Sequence, residues 1–259
     1  VSETEKSKKT PPRVSRRKRR GHKAEAEAEA KAEAKAKAEV EARKPKRAHK
    51  AVRQLDPESF RQVDAMIGSF AQRRFGQLMP KVAQGFFGVA RGDEPKHPEL
   101  QQAFALYFVY GFRDPQGLRI LDMFARFGLE LDREQRRVLD ACLRARFVVF
   151  GLERKNDANK QLLGRDILRG VPMTVLDSVA YSALAPGDVI VAYMFPVGDL
   201  WRPLGLATKV ARAKVPALRQ GLGQLASSQG FAPVELPDRR PAQVFWTAYR
   251  VAEHNFRVG

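Results

Sequence analysis

RFVVFGLE (146–153), LLGRDILRGVPMTVLD (162–177), VIVAYMFPV (189–197) and LWRPLGLATKV (200–210) decide the fold of this chain. Each run is rich in β-branched and aromatic residues, and turn residues separate them. KNDANK precedes the second, Ala185-Pro186-Gly187-Asp188 the third, and Gly198-Asp199 the fourth. Gly and Asp serve such turns because Gly adopts positive φ and the Asp side chain bonds nearby amides. Gly170 divides the second run in two. The region therefore predicts five short strands in a small antiparallel β-barrel or curled sheet.

Upstream, the hydrophobic period is that of helices. Leu55-Asp56-Pro57-Glu58 is a helix start, with Phe60, Val63, Ile67 and Phe70 following on one face and a break at Pro80. Val82, Phe86 and Val89 predict a second helix ending near Gly92. His97-Pro98-Glu99 opens a third, whose AFALYFVYGF segment is apolar nearly all round and predicts a central position. Asp114-Pro115 reads as a cap for a fourth, with Leu118, Leu121, Phe124 and Phe127 inward and Gly128 at its end. Asp132-x-x-Gln135 is a capping-box variant opening a fifth, with Val138, Leu139, Cys142 and Leu143 inward. Downstream, Pro216 and Pro241 open two C-terminal helices, the last carrying Val244, Phe245, Ala248, Tyr249, Ala252 and Phe256. The fold class is α+β: a helical unit at 54–145, then a small antiparallel β unit with two C-terminal helices at 146–259.

Residues 1–53 are of another kind. They hold 19 Lys/Arg against 8 Asp/Glu, so +11 of the chain's net +18 lies in about a fifth of its 259 residues. SKKTPPRVSRRKRR (7–20) is basic and almost devoid of apolar residues, which predicts a disordered tail. The low-complexity run AEAEAEAKAEAKAKAEVEA (24–42) has helix-forming residues in a period of two that leaves no stripe to bury. Glu27→Lys31 and Glu33→Lys37 are favourable i,i+4 pairs. The expectation is a partly formed helical spacer about 28 Å long where fully helical. A polycation of this kind binds polyanions by counterion release. The tail lacks interleaved aromatics, so base reading there is not expected.

No run approaches the roughly 18–20 apolar residues of a membrane span. No apolar stretch follows the N-terminal basic region, and acids at Glu25 to Glu41 do not suit a mitochondrial presequence. With one cysteine, Cys142, and no disulfide framework, a cytoplasmic location is expected.

The search for chemistry yields little. His22, His49, His97 and His254 stand alone, with no ligand spacing, so no metal is expected. Cys142 falls among Val138, Leu139 and Leu143, the place of a buried apolar residue, not a nucleophile. Nucleotide-binding glycine fingerprints and the nucleophile elbow are missing. Asp166, Asp177 and Asp188 form the best carboxylate set. They suit turns, or else an ion and acid–base work in a metal-assisted hydrolase using Asp166 and Asp188.

The strand-and-turn pattern resembles a helix-plus-small-β region of uncharacterised bacterial proteins that often carry a C-terminal SEC-C zinc motif. The resemblance rests on Leu163, Asp166, Leu168 and Gly170, on Val175, Asp177, Ser182 and Leu184, and on Gly187-Asp188, Ile190, Pro196 and Gly205, over roughly 120–206. The zinc motif's cysteines are missing. The resemblance implies a fold and no activity.

The sequence thus predicts a non-enzymatic, nucleic-acid-associated protein of low sequence selectivity, with no catalytic residue and no cofactor. Expected contacts are Arg16, Arg17, Lys18, Arg19, Arg20, Lys44, Lys46 and Arg47 in the tail, with Arg136, Arg137, Lys209 and Arg212 on the body. Arg133, Arg144, Arg146, Lys214, Arg219 and Trp201 extend the body's basic surface. The alternative is a protein-interaction scaffold for an acidic partner.

Overall fold

Asp56 starts the first helix as its sequence predicts. Its carboxylate accepts from the Ser59 amide at 2.8 Å and the Ser59 hydroxyl at 2.7 Å, with Pro57 in the first turn. In the computed structural model, which describes residues 55–258 apart from 91, 128, 129 and 253, this helix α1 spans Pro57–Phe75. The predicted disordered tail and helical spacer lie outside the described residues. Val63, Ile67 and Phe70 are buried, as the 3.6-residue period requires.

Helix α2 (Met79–Phe87) takes Pro80 into its first turn, where the missing N–H costs nothing, and stops at Gly88 with φ 68°. It ends earlier than the Gly92 expected. Helix α3 (Pro98–Leu106) runs on into a π turn, Tyr107–Gly111, closed by the Phe112 amide donating to Tyr107 O at 2.7 Å. Leu100, Ala103, Phe104, Phe108 and Tyr110 are buried, so the apolar segment is central as predicted.

The fourth helix departs from the expectation. Asp114 caps no helix. Its Oδ1 accepts from Gln116 N at 2.9 Å and Leu118 N at 2.8 Å, and these local bonds hold a turn instead. Helix α4 (Ile120–Ala125) begins only after Arg119, so it is too short to carry Phe127 inward; Phe127 is 53% exposed. Helix α5 (Arg133–Leu143) has the expected reciprocal box, with Gln135 N to Asp132 Oδ1 at 2.8 Å and Asp132 N to Gln135 Oε1 at 3.1 Å.

Five strands follow at the predicted places: β1 (Arg146–Asn156), β2 (Gln161–Asp166), β3 (Pro172–Leu176), β4 (Val189–Val197) and β5 (Leu200–Val210). A short helix, α6 (Ser178–Ala183), joins β3 to β4, capped by Asp177 accepting from Ala180 N at 2.7 Å. Then come α7 (Val215–Gln229), α8 (Leu236–Arg239) and α9 (Pro241–Tyr249).

The last helix is shorter than predicted. The chain leaves it at Tyr249 and returns as a sixth strand, β6 (His254–Val258), antiparallel to β5 from Gly205 to Lys209. The expected inward helical Phe256 instead lies opposite Ala207. Pairing satisfies the otherwise open edge of β5, and Asn255 Oδ1 accepts from the Thr208 hydroxyl at 2.7 Å.

The sheet order is β3-β2-β1-β4-β5-β6, every neighbour antiparallel. The sheet curls until Val175 of β3 bridges Trp201 of β5 in parallel. This explains the near-continuous apolar runs. Phe147, Val149, Val191 and Tyr193 face the helices and share their core. Val148, Phe150, Ile190, Ala192 and Met194 face the inside of the curl. Both faces are buried along β4 and the first half of β1, so no polar residue alternates there, whereas β2 and β3 alternate in burial.

Tight curling depends on Gly164 of β2. A Cβ there would overlap the Gly151 carbonyl oxygen, and the Phe150 ring lies 2.9 Å away. Backbone cannot yield as a side chain does. Gly164→Ala is expected to lower stability by about 2–3 kcal/mol, read as a fall in the urea midpoint at unchanged slope. An unaltered midpoint would show that the β1–β2 contact is looser than described.

Candidate nucleic-acid interface

Helix α5 presents its charged face because Val138, Leu139, Ala141 and Cys142 claim the opposite one. Arg136 is exposed, and with Leu131, Arg133, Arg137 and Asp140 it lines a shallow groove of about 390 Å³. Arg137 is half-buried and bound to Glu134 at 2.5 Å, so a phosphate would compete with that carboxylate. Arg144 is exposed and donates to its own helix through Asp140 O at 3.1 Å.

Lys209 and Arg212 meet at Asp188. The Lys209 ammonium stands 3.6 Å from Asp188 Oδ2, and the Arg212 amide donates to Asp188 Oδ1 at 2.9 Å. Lys209 is thus partly neutralised within the fold. The Arg212 side chain is exposed, and its stem lies where a Cβ on Gly187 would fall, within 2.7 Å of its Cδ. The groove on α5 is lined by Leu131, Arg133, Arg136, Arg137 and Asp140 and does not include this pair. Trp201 is half-buried, with the Arg146 guanidinium 4.3 Å from its ring centroid, so its face is taken by a cation.

A third basic place was not foreseen. Arg73 and Arg74 end α1, and the Arg74 guanidinium lies 4.6 Å from the centre of the exposed Phe127 ring. Phe70 supports that ring edge-on at 5.5 Å, and a groove of about 470 Å³ runs between them. An arginine stacked on an exposed aromatic is the arrangement on which a nucleobase can lie. The Arg-Arg pair is visible in sequence, but it also suits a helix C-terminus, and Phe127 looked like core. The tail contacts Arg16, Arg17, Lys18, Arg19, Arg20, Lys44, Lys46 and Arg47 lie outside the described residues.

The three aspartates work in turns and caps. Asp166 is fully buried; its Oδ1 accepts from the Leu168 and Arg169 amides at 3.1 and 3.2 Å, and its Oδ2 pairs with Arg169 Nη1 at 2.6 Å. Asp188 Oδ2 accepts from Ala185 N at 2.9 Å. With Asp177 capping α6, each carboxylate has structural partners of its own. Among the described residues no three His, Cys, Asp or Glu side chains gather as a metal site.

Cys142 is buried, and burial pushes its thiol up to about 12. The thiolate is the reactive form, so the native protein should resist a disulfide reagent at pH 8 and react with one equivalent only in denaturant. Rapid labelling of the folded chain would contradict this placement. Among the described residues no helix is long and apolar enough to cross a membrane. Compared with protein-family models, curated proteins and solved structures, the chain matches none of them.

Proposed function

We propose that this is a non-enzymatic, nucleic-acid-associated protein that holds DNA or RNA through its basic N-terminal segment, with low sequence selectivity. One observation carries the reading: residues 1–53 concentrate 19 Lys/Arg against 8 Asp/Glu. Such a charge density gains its affinity from released counterions and needs no shaped pocket. The body adds a milder positive balance, with 28 Lys/Arg and 21 Asp/Glu. Arg136, Arg212 and the Arg74–Phe127 pair supply secondary contacts. A cytoplasmic location, at the nucleoid or ribosome, goes with this reading.

The test compares the full chain with a variant in which Arg16, Arg17, Lys18, Arg19 and Arg20 are replaced by Ser. Duplex DNA and structured RNA are titrated into each at low salt. The variant should bind both much more weakly and with a shallower salt dependence. Equal affinity would remove the N-terminal segment from the interface. If instead an acidic protein stays bound after nuclease treatment during purification, the scaffold reading takes its place.

A further inference from the structure

A groove whose lining is separate from these basic surfaces runs between α1, α3 and the first half of β5 and encloses about 830 Å³. That is within the usual range for small-molecule sites. Its walls are apolar, with Phe60, Ile67, Leu106, Val109, Phe195 and Leu204 among them. Five polar side chains interrupt these walls: Arg61, Asp64, Gln102, Tyr110 and Arg202.

Three of these groups are conspicuous because the fold leaves them poorly partnered. Gln102 Oε1 and Arg202 Nε are buried atoms with no hydrogen-bond partner among the described residues, and the buried Tyr110 hydroxyl has only the weakly accepting Cys142 sulfur beside it. Tyr110 itself is only 5% exposed. Leaving such groups unbonded costs about 1–3 kcal/mol each, and more for a charged one. Each such group in a native fold calls for an explanation, and three of the five among the described residues lie on this groove. Asp64 keeps contact with solvent, yet the surrounding protein desolvates its carboxyl and raises its pKa above the ordinary aspartate range.

Three backbone irregularities converge on the same place. The π turn at Tyr107–Gly111 carries Val109 and Tyr110, and single π turns are common at functional sites. The β4–β5 register slips between Ala192 and Met194, which puts Leu204, Gly205 and Leu206 in a bulge. Gly205 has φ 60°, and a Cβ there would come within 3.2 Å of Gln102 Nε2 and 3.4 Å of Leu106. Each device brings a groove residue to its position.

We propose that this groove binds a small amphipathic monocarboxylate, its carboxylate on the Arg202 guanidinium and its apolar body along the Phe60–Leu106–Phe195 walls. Arg202 selects the acid. Of the groove's two arginines it is the one with a buried nitrogen lacking a partner among the described residues, and a guanidinium offers the two parallel N–H bonds a carboxylate accepts. Tyr110 and Gln102 supply hydrogen bonds to a second oxygen or hydroxyl. Arg61, also on the groove, is exposed and pairs with Glu58 at 2.7 Å, so an anion there would have to compete with that carboxylate.

The test uses the full chain in 0.5 M NaCl, which suppresses attraction of anions to the basic segment. Decanoate below its micellar range, decanol and acetate are titrated by calorimetry. Decanoate should bind at one equivalent, at least tenfold more tightly than decanol, with no measurable acetate binding. Arg202→Met, which keeps the stem and loses the charge, should remove that preference. Tyr110→Phe should weaken decanoate several-fold. No saturable decanoate binding, or equal binding of decanoate and decanol, overturns the proposal on the unaltered chain, however the variants fold. Unchanged preference in a folded Arg202→Met protein overturns it as well. None of these outcomes bears on nucleic-acid binding.

Discussion

Raising salt from 50 to 200 mM is expected to weaken binding of the full chain to duplex DNA by about 10³–10⁵-fold, if 6–10 phosphates are neutralised. Each neutralised phosphate releases condensed counterions, so affinity falls as a power of salt with an exponent of about 0.9 per contact. The 19 Lys/Arg of residues 1–53 exceed the number this requires, which leaves room for the 8 acids to oppose some. Replacing Arg16, Arg17, Lys18, Arg19 and Arg20 by Ser should lower the exponent by about 4 if all five touch phosphate. Single changes on the body should be far milder. Arg136→Ala or Arg74→Ala should each lower it by about 1 or less, uniformly across sequences. Phe127→Ala should act on single strands more than on duplex, because only an unpaired base can stack on it. Filter binding over a salt series checks all of these. A salt exponent unaltered by the fivefold Ser variant would sink the assignment.

The sequence made the strands legible for a local reason. Gly170, Gly187 and Gly198 mark turns with φ of 69°, 95° and 61°, and apolar runs between them had no helical alternative. The caps at Asp56 and Asp132 were legible likewise, because each bonds an amide three residues away. What sequence could not show depends on distant partners. HNFRV becomes a strand because β5 offers it an edge, while the last helix's apolar spacing seemed to include Phe256. The groove was invisible, since Asp64, Gln102, Tyr110 and Arg202 come from three separate elements and share no spacing. The role of Arg169 had no local signal either, since one of its partners, Asp238, lies 69 residues on.

That arginine carries the second large effect. Arg169→Met is expected to destabilise the fold by about 3–5 kcal/mol, the cost of leaving a buried charge without its partner. Asp166 has no exposed surface, and Arg169 Nη1 is its counter-charge at 2.6 Å. The same guanidinium donates to Phe147 O of β1 at 3.1 Å and to Asp238 of α8 at 2.9 Å, tying the β2–β3 turn to both. Burial works against the charge on Arg169, but the hydrogen bonds it donates to Asp166 and Asp238 outweigh this and raise its pKa. Asp166→Asn tests the pair from the other side. The amide oxygen can still accept from the Leu168 and Arg169 backbone, so the loss should be smaller than for Arg169→Met. In the double variant the buried charge is gone, and stability should recover above that of Arg169→Met alone, a coupling readable in a urea double-mutant cycle. Arg146 also feels the Asp166 charge, but to pair with it directly it would have to leave Trp201, where it lies 4.3 Å from the ring centre. A hydrolase using Asp166 predicts the opposite pattern: Asp166→Asn folded as well as wild type, with turnover lost. Full stability in Asp166→Asn and in Arg169→Met would therefore refute the turn-staple role and return Asp166 to chemistry.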